Sequence, residues 1–353
     1  MRLFRALATL LLPALIWPAA AQAQYWATRA VCDVDKAKIV DEVLSPADLA
    51  TLRARAALTE NPVGRFWRVA SPDGAVSHLW GTNHSNNPLI LDLPRIVMDR
   101  ISKARVVAVE IDFTFPSRRR FEMQFEYSNT YRSPRQSFDF DRSGLDPRVI
   151  GWIRSRAHGV GWTREAPDFL KPGALAELLL PDPCDDFSSA VLPSQDNRIQ
   201  MLGQIAGAEI LGMEPADSFR THLNLPQNHD LAQAILSVYG AYLEPTTSSA
   251  GRATSFALYK AGEIGVMQAW NHNFLSQFFG ETEAERLITL SDGYLLAERN
   301  HRFLDAALED LEAGGVFMAV GAFHLPGDQG MIELLRKAGF TVTRIPLPEE
   351  VRE

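Results

Sequence analysis

The sequence predicts a mixed α/β (α+β) fold, in which the N- and C-terminal thirds build a central sheet around a mostly helical middle insertion. Three observations predict it. Short apolar runs rich in β-branched residues lie near both ends of the chain, at 64–82, 105–113 and 316–347. Segments with helical spacing separate these runs, as in sheets covered by helices. The middle, from about 114 to 260, carries charge and mostly helical spacing, with one short predicted strand, EILGME at 209–214, after a predicted helix.

The N-terminal third has the order of a βαβ unit. Residues 64–70 and 75–82 are typical of strands, and the Ser-Pro-Asp-Gly sequence at 71–74 is typical of a hairpin turn. Residues 93–104 have apolar side chains at helical spacing, and 105–113 form a continuous apolar run. We therefore expect parallel, buried strands on either side of a helix.

The C-terminal third repeats this order. The sequence predicts a helix over 292–315, with Asp292 as its N-cap, followed by a buried strand at 316–324. A helix over 328–340 and an edge strand at 341–347 complete the pattern. Ahead of the first strand, residues 34–59 are predicted to form two short helices.

The first 23 residues have the pattern of a secretory signal peptide. A basic start with Arg2 precedes a short apolar run and an Ala-x-Ala exit at Ala23. We expect cleavage there and a periplasmic or secreted protein, residues 24–353, forming a single domain with the insertion at about 114–260; an uncleaved N-terminal anchor is the alternative. No later run is long enough to span a bilayer, so we expect no stable membrane insertion of the mature chain.

Composition restricts the partners of the chain. Its 353 residues are 46% hydrophobic and 22% charged, with a formal net charge of −8. This charge disfavours nucleic acid as a partner and identifies no partner by itself. The candidate site described below leads us to expect a peptide or small-molecule substrate. The two cysteines, Cys32 and Cys184, could form one disulfide in an exported chain, but the sequence does not show whether they lie close enough.

Two histidines follow predicted strands in the same setting. Gly81 and Gly321 each precede a histidine by three residues, giving Gly-x-x-His at His84 and at His324. Ligands of parallel sheets bind beyond the carboxyl ends of the strands, so neighbouring strands would bring both imidazoles to one ligand. Each histidine alone could equally be a loop residue bonded to backbone.

A carboxylate and a guanidinium complete the candidate site. Glu110 lies near the end of the buried strand at 105–113, where an isolated carboxylate needs a cation or a proton. Asp112 is a weaker alternative, and Glu110 could also be a structural ion-pair partner. Arg299, on the predicted helix over 292–315, could clamp a carboxylate or an oxyanion, or could lie on a solvated helix face.

These residues and their neighbours resemble the TraB/PrgY/GumN family, whose best-understood relatives are the metazoan Tiki proteases. The resemblance rests on five motifs in a specific order: LWGTNH at 79–84, VVAVEID at 106–112, ILGME at 210–214, ERN at 298–300 and VGAFHLPGDQGMIELLRKAGFTVTRI at 320–345. It implies a two-part α/β fold and, in the Tiki branch, peptide cleavage that depends on a divalent metal. Carried onto this chain, the catalytic residues would be His84, Glu110, Arg299 and His324.

Three functions are compatible with these residues. The leading hypothesis is an exported hydrolase of peptide or amide bonds. His84, Glu110 and His324 would hold one divalent ion (Mn, Co or Zn), or two of them would hold it while the third acts as a general base, and Arg299 would steady an oxyanion. A second version has no metal and uses one histidine as a general base oriented by Glu110. The third is a non-catalytic peptide-binding or regulatory protein of the cell envelope.

Overall fold

A six-stranded sheet forms the centre of the described fold. The computed structural model describes residues 32–112, 140–159, 163–180, 184, 194–244 and 248–350. The strands are β1 Phe66–Ala70, β2 Val76–Thr82, β3 Val106–Ile111, β4 Glu209–Glu214, β5 Val316–Gly321 and β6 Thr341–Arg344, and they lie in the order β4-β3-β5-β2-β1-β6. The predicted mixed α/β class is confirmed, and β4 in the middle of the chain is the short strand predicted over 209–214.

Helices surround the sheet and build the middle of the chain. Those described are α1 Pro46–Ala56, α2 Pro88–Leu91, α3 Arg95–Ile101, α4 Pro147–Gly159, α5 Pro172–Leu179, α6 Gln195–Ala206, α7 Ser218–Leu223, α8 His229–Ala241, α9 Ser249–Lys260, α10 Ile264–Phe279, α11 Glu281–Asp292, α12 Arg299–Ala313 and α13 Met331–Lys337. A π-helical segment, Gly293–Glu298, joins α11 to α12.

Four neighbouring strands run parallel, and this sets where their ends meet. β5 pairs with β2 on one side and with β3 on the other, and β3 pairs with β4. In the β2–β5 register, Thr82 lies opposite Gly321, so both strands end at the same edge of the sheet. β1 is antiparallel to β2 across the predicted hairpin, and β6 pairs with β1 at the opposite end of the strand order.

The alternation of side chains along the strands explains the two apolar layers on the sheet. In β5, Val316, Met318 and Val320 share a core cluster with Phe303 of α12. The intervening residues, such as Phe317, share another cluster with side chains of α3 and α6. Because successive strand residues point to opposite faces, Glu110 continues the face that α12 covers.

The middle of the chain has apolar cores of its own. One cluster unites side chains of α4, α5, α8 and α11, and includes Val149, Leu175, Ile235 and Leu287. A further cluster joins α1 to α9 and α10. The helical middle predicted from sequence is therefore present in the residues described.

Two local predictions are wrong. No helix begins at Asp292, because this residue is the last of α11, which begins at Glu281. Gly293 has a helical φ of −55°, so the helical backbone continues past Asp292 into the π-helical segment. Residues 34–59 contain one helix rather than two, since only α1 forms, capped by the Ser45 side chain that accepts from the N–H of Asp48.

Cys32 and Cys184 form the disulfide that the sequence left open, with their Cα atoms 5.4 Å apart. Such bonds persist in oxidising compartments outside the cytosol, which suggests an exported protein. The predicted signal peptide, residues 1–23, lies outside the described residues. Among the helices that the structure describes, none combines the length and apolarity needed to cross a membrane.

Candidate active site

The four side chains predicted as a site meet at the carboxyl edge of the parallel strands. Nε2 of His324 lies 3.7 Å from Oε1 of Glu110, and Nε2 of His84 lies 4.0 Å from the same oxygen. Arg299 donates from Nη2 to the other oxygen of Glu110 at 2.7 Å. Asp112, the weaker alternative, accepts a hydrogen bond from Gln200 instead.

The two glycines of the repeated motif allow close packing. A Cβ on Gly321 would lie 2.9 Å from Nε2 of His84 and 3.4 Å from Oε1 of Glu110. A Cβ on Gly81 would meet the Leu325 side chain at 2.6 Å. Each glycine therefore removes an atom where the two strand ends pack together. The N–H of Gly321 also donates to Oε1 of Glu110 at 2.7 Å.

An aspartate that the sequence reasoning missed fixes His84. Nδ1 of His84 donates to Oδ2 of Asp196 at 2.8 Å, and Thr82 donates to Oδ1 of the same carboxylate at 2.5 Å. Asp196 lies in the first turn of α6, 112 residues from His84 in sequence. An acidic residue at a helix start is common without any site, so sequence offered no distinguishing signal.

An asparagine fixes His324 in the same way. Nδ2 of Asn300 donates to the backbone carbonyls of Gln329 and His324, so its Oδ1 is left to accept. Nδ1 of His324 donates to that oxygen at 2.7 Å. In this arrangement the proton of the neutral His324 ring is on Nδ1. Nε2 is then unprotonated, and its lone pair is directed toward Glu110.

Arg299 holds Glu110 against a second carboxylate. It donates from Nε to Oε1 of Glu214 at 2.8 Å, and Nη2 contacts the same oxygen. Glu214 ends β4 and is 6% exposed. Removing one partner of such a buried ion pair typically costs about 3–5 kcal/mol, so Arg299 is bound into the fold as well as into the site.

The electrostatics of the site separate the two histidines. The Asp196 carboxylate raises the pKa of His84 to about 9. Burial lowers the pKa of His324 to about 4, against the attraction of Glu110. His84 is half-exposed while His324 is buried. Without a bound ion, the first imidazole is therefore a cation at neutral pH and the second is a neutral base. A metal ion bound to Nε2 of His84 would take the place of its proton there.

Glu110 stays ionised despite its position. Burial alone would raise the pKa of Glu110, but the Arg299 guanidinium, the neighbouring histidines and the Gly321 N–H together hold it well below the usual range. The ionised carboxylate thus faces the lone pair of His324 at 3.7 Å. Two hydrogen-bond acceptors facing each other need a proton or a cation between them.

The donor set is chemically suited to a divalent cation. His84, Glu110 and Asp196 each offer a ligand atom, and these atoms lie within 4.8 Å of one another. Imidazole and carboxylate are ligands for Zn, Mn and Co. The Nδ1 atoms of His84 and His324 are both hydrogen-bonded, as is usual for metal-binding histidines, so Nε2 is the atom of each ring that could bind an ion.

Comparison with known proteins adds one finding. A sequence model of the TraB/PrgY/gumN family matches residues 65–344. That range includes every side chain of the site described above. No curated protein and no solved structure matches the chain.

Proposed function

The chain belongs to the TraB/PrgY/gumN family, and from that membership and the geometry of the site we propose an exported hydrolase that cleaves peptide or amide bonds with the help of a divalent metal ion. One observation carries the proposal: two oriented imidazoles direct Nε2 toward the same oxygen of an ionised Glu110, at 3.7 and 4.0 Å. The disulfide supports export, and the basic N-terminal pattern with Ala-x-Ala supports the periplasm or the exterior.

His84 and His324 would hold the ion through Nε2, and Glu110 through Oε1. When bound, the ion would acidify a water and polarise the scissile carbonyl. Its identity among Mn, Co and Zn is set by ligand number and availability more than by these ligand types. In this assignment Asp196 orients His84 rather than binding the ion directly, because its Oδ2 already accepts from Nδ1 at 2.8 Å.

The remaining residues position and balance charge. Asn300 keeps the lone pair of His324 directed into the site by accepting from Nδ1. Arg299 keeps Glu110 ionised and fixed in orientation. Since the Nε and Nη2 groups of Arg299 both face carboxylates, we assign it to this positioning role rather than to the oxyanion suggested by sequence.

The His84–Asp196 pair supports a metal-free alternative. A half-exposed imidazole that donates Nδ1–H to a carboxylate at 2.8 Å has the geometry of an oriented general base or acid. The raised pKa of His84, about 9, makes it an acid at neutral pH. In this version Glu110 and His324 would contact substrate without an ion.

The test combines metal analysis with peptide profiling. Purified mature protein is stripped with chelator, reloaded with Mn, Co or Zn, and incubated with a peptide library read by mass spectrometry. We expect one ion per chain and cleavage that follows the metal. Glu110→Gln should lower cleavage by more than about 100-fold. His229→Gln, at an exposed helix start, is the matched control.

Three other outcomes contradict the metal hydrolase. Unchanged metal content in the double variant His84→Ala, His324→Ala would exclude the ion site. Peptide cleavage that is unaffected by chelator but is lost in His84→Ala would favour the metal-free version. Saturable peptide binding with no product would identify a non-catalytic envelope protein.

A further inference from the structure

A buried glutamine holds the segment of chain that carries His84. Gln195 is the first residue of α6, and it is 1% exposed. Its Oε1 accepts from the indole Nε1–H of Trp80 at 3.1 Å and from the backbone N–H of Asn83 at 3.2 Å. Trp80 lies in β2, and Asn83 directly precedes His84. The glutamine therefore bonds to the chain on both sides of the end of β2.

The same side chain also reaches the far end of this segment. Nε2 of Gln195 donates to the carbonyl of Ile90, in α2, at 2.5 Å. The partners fix the orientation of the amide, because turning it over would place Nε2 against two N–H donors and Oε1 against a carbonyl. One amide thus holds both ends of residues 83–90, which lead from β2 through His84 to α2.

The next residue along α6 holds the same segment by its side chains. The Asp196 carboxylate accepts from the hydroxyl of Thr82 and from Nδ1 of His84. Gln195 accepts from the indole of Trp80 and from the backbone N–H ahead of His84. Two consecutive residues therefore divide the work: the carboxylate holds the imidazole, and the amide holds the backbone that carries it.

A tyrosine of α9 closes the surroundings of the amide. The hydroxyl of Tyr259 lies 2.8 Å from Oε1 of Gln195 and 2.8 Å from the carbonyl oxygen of Gly81. Tyr259 is buried, so no bulk water replaces these contacts. Loss of the amide would leave the indole N–H of Trp80 unpaired in the core and would release the N–H of Asn83.

We propose that Gln195 is a positioning residue, which directs the His84 imidazole toward Glu110 by fixing the backbone of residues 83–90. The proposal rests on the proposed function, in which Nε2 of His84 holds the ion. His84 is half-exposed, so packing restrains its ring less than that of the buried His324. The direction of Nε2 then depends on the bond to Asp196 and on where the backbone places the ring.

The first measurement uses the full chain without metal. In protein stripped with chelator, the Nδ1–H proton that His84 donates to Asp196 should give a downfield proton NMR resonance, identified by its loss in His84→Gln. Gln195→Met keeps the length of the side chain but removes the amide, so we expect it to lose this resonance. Gln195→Glu keeps an oxygen that can accept from Asn83, and it should keep the resonance.

The second measurement is the affinity for Mn, determined by calorimetry. We expect Gln195→Met to weaken it about tenfold, as is typical when an outer partner of a metal ligand is lost. The control is Thr254→Val, which removes a different buried hydrogen bond, from the N–H of Val40 to Oγ1 of Thr254 at 3.1 Å. This variant should keep both the resonance and the affinity. Gln195→Leu, a second apolar variant, gives the same test if Gln195→Met does not fold.

The outcomes separate the two proposals. Retention of either the resonance or the native affinity in Gln195→Met would overturn the positioning role and leave the metal hydrolase supported. A resonance lost equally in Thr254→Val, or missing from the native chain, would also overturn that role. A native chain that binds no ion would contradict the metal hydrolase, while the resonance would still decide whether Gln195 orients His84.

Discussion

The absence of one Cβ, at Gly321, sets how closely His84 approaches the end of β5. The backbone of Gly321 has φ −50° and ψ 138°, which any residue can adopt. The backbone conformation at position 321 therefore does not require glycine. It is needed because a Cβ would lie 2.9 Å from Nε2 of His84.

We predict that Gly321→Ala weakens metal binding by about tenfold while changing the free energy of unfolding by less than about 1 kcal/mol. The half-exposed imidazole can move away from the added methyl group, so the fold loses little and the site loses its geometry. Calorimetric titration of the stripped protein with Mn measures the first effect, and urea unfolding the second.

Gly151→Ala is the control for this prediction, since nothing lies within 4 Å of a Cβ there. An affinity unchanged in Gly321→Ala would mean that His84 does not need its present position to bind the ion.

At the residue scale, sequence reasoning found the histidines but not what orients them. His84 and His324 were identifiable because each follows an apolar run and a glycine. Asp196 and Asn300 were not, because their roles depend on contacts with residues 112 and 24 positions away. The motif ILGME contained Glu214, but nothing in it revealed that Arg299 bridges it to Glu110.

At the scale of elements, the strands were easier to predict than the helix that carries Arg299. Short apolar runs predicted β1, β2, β3 and β5, and the sequence also predicted β4 at 209–214 and the edge strand β6. The helix through Asp292 was misplaced because no breaker separates α11 from the π-helical segment Gly293–Glu298. In that segment, directly before Arg299, the helix changes from α-helical to π-helical hydrogen bonding. Single π-helical turns are frequent at functional sites.

Strand β2 itself contains one histidine, His78, which has no part in the site. Burial, assisted by Arg100 and Arg68, lowers the pKa of His78 to about 4, while the unfolded value is about 6.5. Between these two pH values the unfolded chain binds a proton that the folded chain does not. Stability therefore falls as the pH drops through that window.

We predict that the pH dependence of unfolding is smaller in His78→Gln. Between pH 7 and pH 5 the free energy of unfolding of the native protein should fall by about 1 kcal/mol more than that of the variant, because only the native strand carries the partly buried imidazole. Urea unfolding at both pH values gives the difference, and comparing differences cancels any constant effect of the substitution. Equal losses in the two proteins would mean that His78 titrates normally in the fold.

The control here is His229→Gln, because His229 is exposed at the start of α8. This variant should retain the full loss of stability between pH 7 and pH 5.

At the scale of the whole molecule, the chain returns to one sheet edge from three distant places. β2, β3 and β5 deliver His84, Glu110 and His324, although His324 follows the others by more than 200 residues. The fold class was predictable because apolar periodicity is local. The strand order was not, because β5 enters between β2 and β3 and β4 comes from the middle of the chain.

The disulfide ties the segment ahead of α1 to the middle of the same chain, across a sequence separation of 152 residues. Closing so long a loop restricts the unfolded chain, and the chain-entropy relation gives about 5 kcal/mol for it. We predict that Cys32→Ser with Cys184→Ser lowers the free energy of unfolding by about 3–5 kcal/mol, measured by urea unfolding. Metal affinity should stay unchanged at 25 °C, because neither cysteine is one of the residues proposed to hold or orient the ion.

Cys32→Ser alone should lower the free energy of unfolding by as much as the double variant does, because either substitution removes the disulfide. Reductant added to the native chain should produce the same shift, and it should have no effect on the double variant. A loss below about 1 kcal/mol would mean that the unfolded chain already keeps these segments together. A loss of metal affinity in the double variant would instead show that the bond supports the sheet edge where the histidines meet.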